Sequence, residues 1–302
     1  KQSFLSLPST RRLRRFRQLV FHTALLALLS AVGCNNPPLS FGDEWDGPKG
    51  QWVETWRDDF DGPLEAAPDP TRWNIEVRPT GQNQEQDYDT DRRKNSFLDG
   101  NGNLVLQAHQ EHFVDGSGRP SSQPYTSARL NTRGHLEQAY GKFEARIRLP
   151  SGKGIWPAFW LLGSNIDDVG WPRCGEIDIL EMAGSEPFRV DASLHGPGYS
   201  GIEALTRSHD LADGQKFADA FHTFTLEWTA KGMRWLVDGE VFHVRTPQGL
   251  AEFERDWVFD HPFYVIINLA VGGLYDGSPD ASTRFPAQMA IDYISVSRLE
   301  PG

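Results

Sequence analysis

Lys142-Phe143-Glu144-Ala145-Arg146-Ile147-Arg148-Leu149 alternates between charged and apolar residues over eight positions. Successive side chains of a β-strand point to opposite faces, so this stretch predicts a strand with Phe143, Ala145, Ile147 and Leu149 turned into a core. The same period recurs at Val190, Ala192 and Leu194, which alternate with Asp191, Ser193 and His195. Met233 to Val244 reads as a hairpin turning at Asp238-Gly239, and Tyr264 to Val271 as a fully buried strand. Leu104 to Leu106 and Ile291 to Val296 add two more. No stretch of a dozen residues shows a helical period, and 29 Gly and 20 Pro supply frequent turns. The expectation is an all-β sandwich or barrel, built as one domain over residues 52–300.

Composition narrows the function classes. The chain has 302 residues, 38% of them hydrophobic, with 10 Trp and 18 Phe, which suffices for a large core. Two cysteines, Cys34 and Cys174, exclude a disulfide scaffold and a thiolate zinc site. Net charge is −11, and residues 1–33 hold six of the 30 bases and no acid. The remainder therefore carries 24 bases against 41 acids, a net −17 that repels phosphates, and no nucleic-acid partner is expected. No His-Glu-x-x-His, Gly-x-Ser-x-Gly or phosphate-loop motif occurs.

Residues 1–33 read as a targeting segment. Arg11 to Arg17 is basic, Leu19 to Gly33 is apolar, and Ala31-Val32-Gly33 places small residues before Cys34. About fifteen apolar residues are short for a membrane span, which needs roughly 20. The pattern resembles a lipoprotein signal with Cys34 as the lipidated residue. An ordinary cleaved signal and a twin-arginine signal at Arg11-Arg12 are the alternatives. Residues 34–51 read as a flexible linker. Export follows, to the outer membrane or cell surface as a lipoprotein attached through Cys34, or to the periplasm or medium.

The segment that carries chemistry is Trp171-Pro172-Arg173-Cys174-Gly175-Glu176-Ile177-Asp178-Ile179-Leu180-Glu181-Met182. Ile177 and Ile179 suit a core face, and Glu176 and Asp178 then share the other. Strict alternation sends Glu181 inward, where an unpaired carboxylate is costly. One β-bulge near Leu180 returns it to the face of the other two acids. Three carboxyls on one face raise the pKa of at least one, so a protonated acid and an ionised carboxylate coexist near neutral pH. Retaining glycoside hydrolysis needs that pair, with the two carboxyls roughly 5–5.5 Å apart. By itself the spacing also suits an ordinary solvated strand face.

The setting of this strand removes that ambiguity. Gly154-Ile155-Trp156-Pro157-Ala158-Phe159-Trp160-Leu161-Leu162-Gly163 lies upstream and Leu194-His195-Gly196-Pro197-Gly198-Tyr199-Ser200-Gly201 downstream. Together the three segments resemble glycoside hydrolase family 16, most of all bacterial endo-β-1,3-glucanases (laminarinases), from about Trp52 to Arg298. The resemblance implies a β-jelly-roll (concanavalin A-like) sandwich with a concave substrate cleft. It also implies a retaining double displacement with Glu176 as nucleophile, Asp178 as assisting acid and Glu181 as general acid/base. Substrate contacts are expected from Trp156, Trp160, Trp171, His195 and Arg129, and also from Asn83 and Gln288. Trp73, Trp228 and Trp235 are expected in the core. Catalysis requires no cofactor. The resemblance suggests a structural calcium held by Asp59, Gly102 and Asp292. Gly272-Gly273-Leu274-Tyr275-Asp276-Gly277 departs from the family, which commonly has Trp where Leu274 or Tyr275 stands. The expected substrate is laminarin-type β-1,3-glucan and the expected state a monomer. Mixed-linkage β-1,3-1,4-glucanase, glucan transglycosylase and non-catalytic glucan-binding protein are the alternatives.

Overall fold

A computed structural model describes residues 45–301, apart from Asp115. The targeting segment, Cys34 and most of the linker lie outside the described residues. The described residues belong to one compact unit.

Two eight-stranded sheets stack face to face. One runs in the order Glu240–Arg245, Gly232–Val237, His222–Thr229, Gly141–Arg148, Ala287–Glu300, Leu104–Ala108, Ser96–Leu98. Gln51–Asp58 also pairs with Ala287–Glu300, so the first described strand lies along the last. The other runs Arg207–Asp210, Arg189–His195, Glu176–Glu181, Ile155–Gly163, Phe263–Val271, Arg129–Asn131, Asn74–Ile75, with Glu137–Gln138 added beside Phe263–Val271. All pairings within these two sheets are antiparallel. A third, small sheet joins Arg78–Pro79, Asp87–Asp89 and Tyr125–Ser127. The described helices are single turns such as Ile166–Val169 and Pro247–Ala251. The fold is the all-β jelly-roll sandwich that the sequence implies, and none of its described helices is long and apolar enough to cross a membrane.

The core is the layer between the sheets. Phe143, Ala145 and Ile147 are fully buried there, while Lys142, Glu144 and Arg146 on the other face of their strand are half-buried. Ile177, Phe159, Leu161, Val265 and Ile267 meet them from the opposite sheet. Trp73, Trp228 and Trp235 belong to this core, as expected. The hairpin closes at Asp238 and Gly239, both with positive φ (50° and 83°), the signature of a type I′ turn. Asp238 adds a side-chain bond, accepting from the Thr223 amide at 2.8 Å.

Gly175 starts the acid-bearing strand at φ 74°, and a Cβ there would meet the Phe263 ring at 2.9 Å. Only glycine satisfies both the backbone and the space. Behind it, Cys174 is a buried thiol packed against Leu162, Tyr264 and Ile266. Burial, then the nearby Glu176 charge, push its pKa up to about 11, so it stays a thiol and packs as a small apolar residue.

Candidate active site

The acid-bearing strand is bulged where parity requires it. Against Ile155–Gly163, Asp178 faces Trp160 and Leu180 faces Phe159, so Ile179 is the extra residue. Against Arg189–His195, Asp178 faces Ser193 and Glu181 faces Asp191, so three steps on one strand match two on the other. Ile177, Ile179, Leu180 and Met182 are all buried, and Glu176 and Glu181 are half-buried on the outer face. The Asp178 carbonyl beside the bulge also has a partner across the core. Trp235, from the opposite sheet, donates to it from Nε1 at 2.9 Å across the core.

Three rows of side chains cross the sheet at this point. Leu162, Glu176 and His195 form one, and Trp160, Asp178 and Ser193 the next. Arg129, Asn268, Ala158, Glu181 and Asp191 form the third. Ala158, the smallest of them, leaves space beside Glu181. Each glutamate receives an indole N–H: Trp171 Nε1 donates to Glu176 Oε2 and Trp156 Nε1 to Glu181 Oε1, both at 2.9 Å. The Gly201 amide donates to His195 Nδ1 at 3.1 Å. In the neutral ring this leaves the proton on Nε2, which lies 3.0 Å from Asp178 Oδ2 and 3.7 Å from Glu176 Oε1.

Burial and mutual repulsion shape the electrostatics. Glu176 is raised to about 7 by burial and by the Asp178 charge, against the opposing effects of His195, Trp171 and Arg129. Asp178, 3% exposed, is raised to about 8 by burial. Glu181 lies well above the ordinary carboxyl range, through burial first and then the charges of Asp178 and Glu176, with His195 opposing. As pH rises this cluster therefore ionises in steps. Near neutrality it holds protonated and ionised carboxyls together, the state that acid-assisted displacement requires.

The structure assembles most of the expected contacts around the acids. Trp156 and Trp160 are half-buried on the acid-bearing face, and Trp171 is 48% exposed at its edge. Trp160 Nε1 donates to Asn268 Oδ1 at 2.8 Å, and the Arg129 guanidinium sits 4.7 Å over the Trp160 ring. Arg129 Nε in turn donates to Glu76 Oε1 at 2.9 Å. Asn83 is exposed at the cleft end, where its carbonyl accepts from the Leu274 amide at 2.8 Å, and Gly273 lies between it and the Trp156 ring. Gln288 is the correction. It lies on the outer face of the other sheet, opposite Gln107, whose Oε1 accepts from its side chain. In its strand Ala287 and Met289 turn into the core and Gln288 turns out to solvent, away from the acids.

At the suggested calcium position, Gly102 packs near the Asp59 carbonyl and the Asp61 carboxylate. However, Asp59 Oδ1 accepts from Arg57 Nε at 2.7 Å, and Asp292 Oδ2 from Arg146 Nη1 at 2.5 Å. Both carboxylates are already neutralised by arginines. A calcium ion bound there would compete with both ion pairs.

Sequence reasoning did not single out Asp191, Asn268, Tyr275, Asp276 or Glu76 as site residues. Tyr275 Oη donates to Asp191 Oδ2 at 2.6 Å, and its ring lies 5.0 Å from that of Trp156. The signal that pointed to Tyr275 and Asp276 was the departure of their loop from the family pattern.

Comparisons with known proteins agree with this geometry. Residues 84–295 match the model of the glycosyl hydrolases family 16. A beta-glucanase of Rhodothermus marinus is 35% identical over 296 residues, covering 96% of this chain and 98% of that protein. The catalytic domain of an endo-1,3-beta-glucanase (laminarinase) from Thermotoga petrophila superposes with a TM-score of 0.77 at 44% identity, covering 83% of this chain and 99% of that one. An endo-beta-1,3-glucanase from Pyrococcus furiosus superposes at 0.78 and 42% identity, covering 84% and 97%. With three acids turned to one face by a single extra residue, and this likeness over most of its length, the chain belongs to glycoside hydrolase family 16.

Proposed function

We propose that this glycoside hydrolase cuts internal β-1,3 bonds of laminarin-type glucans with retention of configuration. The observation that carries the reading is the bulge at Ile179, which puts Glu176 and Glu181 on one face, each held by an indole N–H. In the first step the ionised Glu176 carboxylate attacks the anomeric carbon. The bond to the leaving sugar oxygen breaks, and the Glu181 proton passes to that oxygen. In the second step Glu181 takes a proton from water as the water oxygen attacks the anomeric carbon, releasing Glu176. Asp178 and His195 hold Glu176 in place. Trp156, Trp160 and Trp171 offer apolar faces for the C–H faces of sugar rings. The substrate class is supported by the endo-1,3-glucanases that the chain resembles.

The test is product analysis on laminarin, lichenan and agarose, with Glu176→Ala as control. Laminarin is expected to yield new reducing ends with the β-anomer formed first, and Glu176→Ala to lose about 10³-fold or more in kcat. Intact activity in Glu176→Ala overturns the assignment. Preference for lichenan moves the substrate to mixed-linkage glucan, and preference for agarose moves it to galactan. Export with lipidation at Cys34 is part of the proposal and rests on the basic, apolar and small-residue order of residues 11–34. Cys34→Ala is expected to shift the enzyme from the membrane fraction to the soluble fraction.

A further inference from the structure

The loop Gly272–Gly277, which departs from the family pattern, contains a carboxylate whose bonding capacity is filled. Asp276 is 4% exposed. Its Oδ2 accepts from the Gly154 amide at 2.6 Å and the Ser185 amide at 3.1 Å, and its Oδ1 from Lys153 Nζ at 3.2 Å and from the Ser185 hydroxyl. A carboxylate has about four acceptor positions, and all four are used here. The donors come from two other segments. Gly154 lies two residues before Trp156, and Ser185 four residues after Glu181. These segments are also tied to each other, since the Gly184 amide donates to the Ile155 carbonyl at 2.8 Å and the Gly152 amide to the Gly184 carbonyl at 2.9 Å. The neighbour of Asp276, Tyr275, packs on Trp156 and donates to Asp191, the cross-strand partner of Glu181. Trp156 in turn donates to Glu181.

We propose that Asp276 is a positioning residue for the hydrolytic reaction. It clamps three loops at one end of the cleft so that Trp156 and Tyr275 hold the Glu181 carboxyl in its reactive orientation. Asp276 does not touch the reacting atoms and acts through Trp156. The consequence differs from that of a plain structural staple. The Trp156 N–H stabilises the ionised form of Glu181, so loosening Trp156 makes Glu181 a weaker acid. Glu181 must be protonated to assist the leaving group, so the high-pH limb of kcat/KM moves to higher pH. A staple alone lowers the folded fraction and leaves the limb where it was. The other charged groups facing Glu181 are Glu176 and Asp178 on its own strand and His195 and Asp191 on the next; Tyr275 faces it from the loop.

The inference rests on the reading of Glu181 as acid/base. The experiment is the pH dependence of kcat and kcat/KM on laminarin for the wild type, Asp276→Asn, Trp156→Phe and the double variant. Asp276→Asn is expected to lower kcat about tenfold with KM changed less than about threefold, and to raise the high-pH limb by roughly half a unit or more. Trp156→Phe is expected to shift the limb the same way, and the double variant to shift it no further, because both act on one hydrogen bond. Ser185→Ala, which removes one donor, gives a smaller shift in the same direction and carries the test if Asp276→Asn does not fold. An unmoved limb in the folded variant, or shifts that add, overturns the clamp. Wild-type activity in Glu181→Gln overturns the acid/base reading instead.

Discussion

Two indole N–H groups aimed at two glutamates set the chemistry of individual residues here. Trp171 and Trp156 each donate one bond to a carboxyl that burial would otherwise keep protonated, and each lowers its partner's pKa against that pressure. His195 acts in the same direction from the neighbouring strand, favouring the ionised form of Glu176. The nucleophile must be ionised, so the low-pH limb of kcat/KM is expected near pH 7, where Glu176 titrates. His195→Ala removes a group that favours the carboxylate, so this limb moves to higher pH. The loss at pH 6, roughly tenfold, then exceeds the loss at pH 8. A pH–rate profile checks this, and an unmoved limb would remove His195 from the electrostatics of the site. Residue spacing together with the family resemblance picked out Glu176, Asp178, Glu181 and His195. The resemblance misplaced Gln288, because a polar residue in an alternating strand announces which face it takes within its own strand but not which sheet that strand joins.

The element that matters most is the bulged strand Glu176–Glu181. Its bulge was legible in the sequence, because two buried isoleucines and three acids cannot obey one parity. What the bulge does to its own backbone was not legible. The Asp178 carbonyl accepts from Trp235, 57 residues away and on the opposite sheet. Trp235→Phe keeps most of the buried area and removes that donor. It is expected to cost about 1–3 kcal/mol, which lowers Tm by roughly 3–10 °C. Thermal denaturation gives this number, and activity measured well below Tm shows whether the bulge keeps its shape. A Tm within about 1 °C of wild type would mean that the carbonyl finds another donor. The neighbouring strands contribute by register alone: Ala158 opposite Glu181 leaves room beside the acid, and Asp191 on the other side brings Tyr275 to it.

Across the whole molecule, buried carboxyls couple stability to pH. Asp87, 1% exposed in the small third sheet, is raised to about 7 by burial, partly offset by the Val271 amide, which donates to its Oδ1 at 2.9 Å. Glu176 and Asp178 are likewise raised, to about 7 and about 8. Each has a folded pKa above its unfolded value, so the folded state holds the extra protons and stability from these groups declines as pH rises from about 4 to about 8. Glu111 has the opposite sign. Burial raises it, but hydrogen bonds from Lys94, Thr126 and Arg92 prevail and hold it at about 2, so its contribution is lost as pH falls from about 4.5 toward 2. Tm is therefore expected to peak in mild acid and to fall toward pH 8. Asp87→Asn, which keeps an acceptor for Val271, is expected to flatten that fall by a few degrees, measured by calorimetry across pH. A curve as steep as wild type would show that Asp87 carries no proton in the fold. The sequence alone determined an all-β body, the strand that carries the acids and the need for a bulge, because side-chain alternation and the cost of a buried carboxylate are local rules that a chain obeys before it folds. Only the tertiary structure decided which loops meet at Glu181, how Asp276 joins them, and that Arg146 takes the carboxylate of Asp292. Those partners are far apart in the chain and meet only when the strands that carry them pair within a sheet, and no local pattern records that pairing.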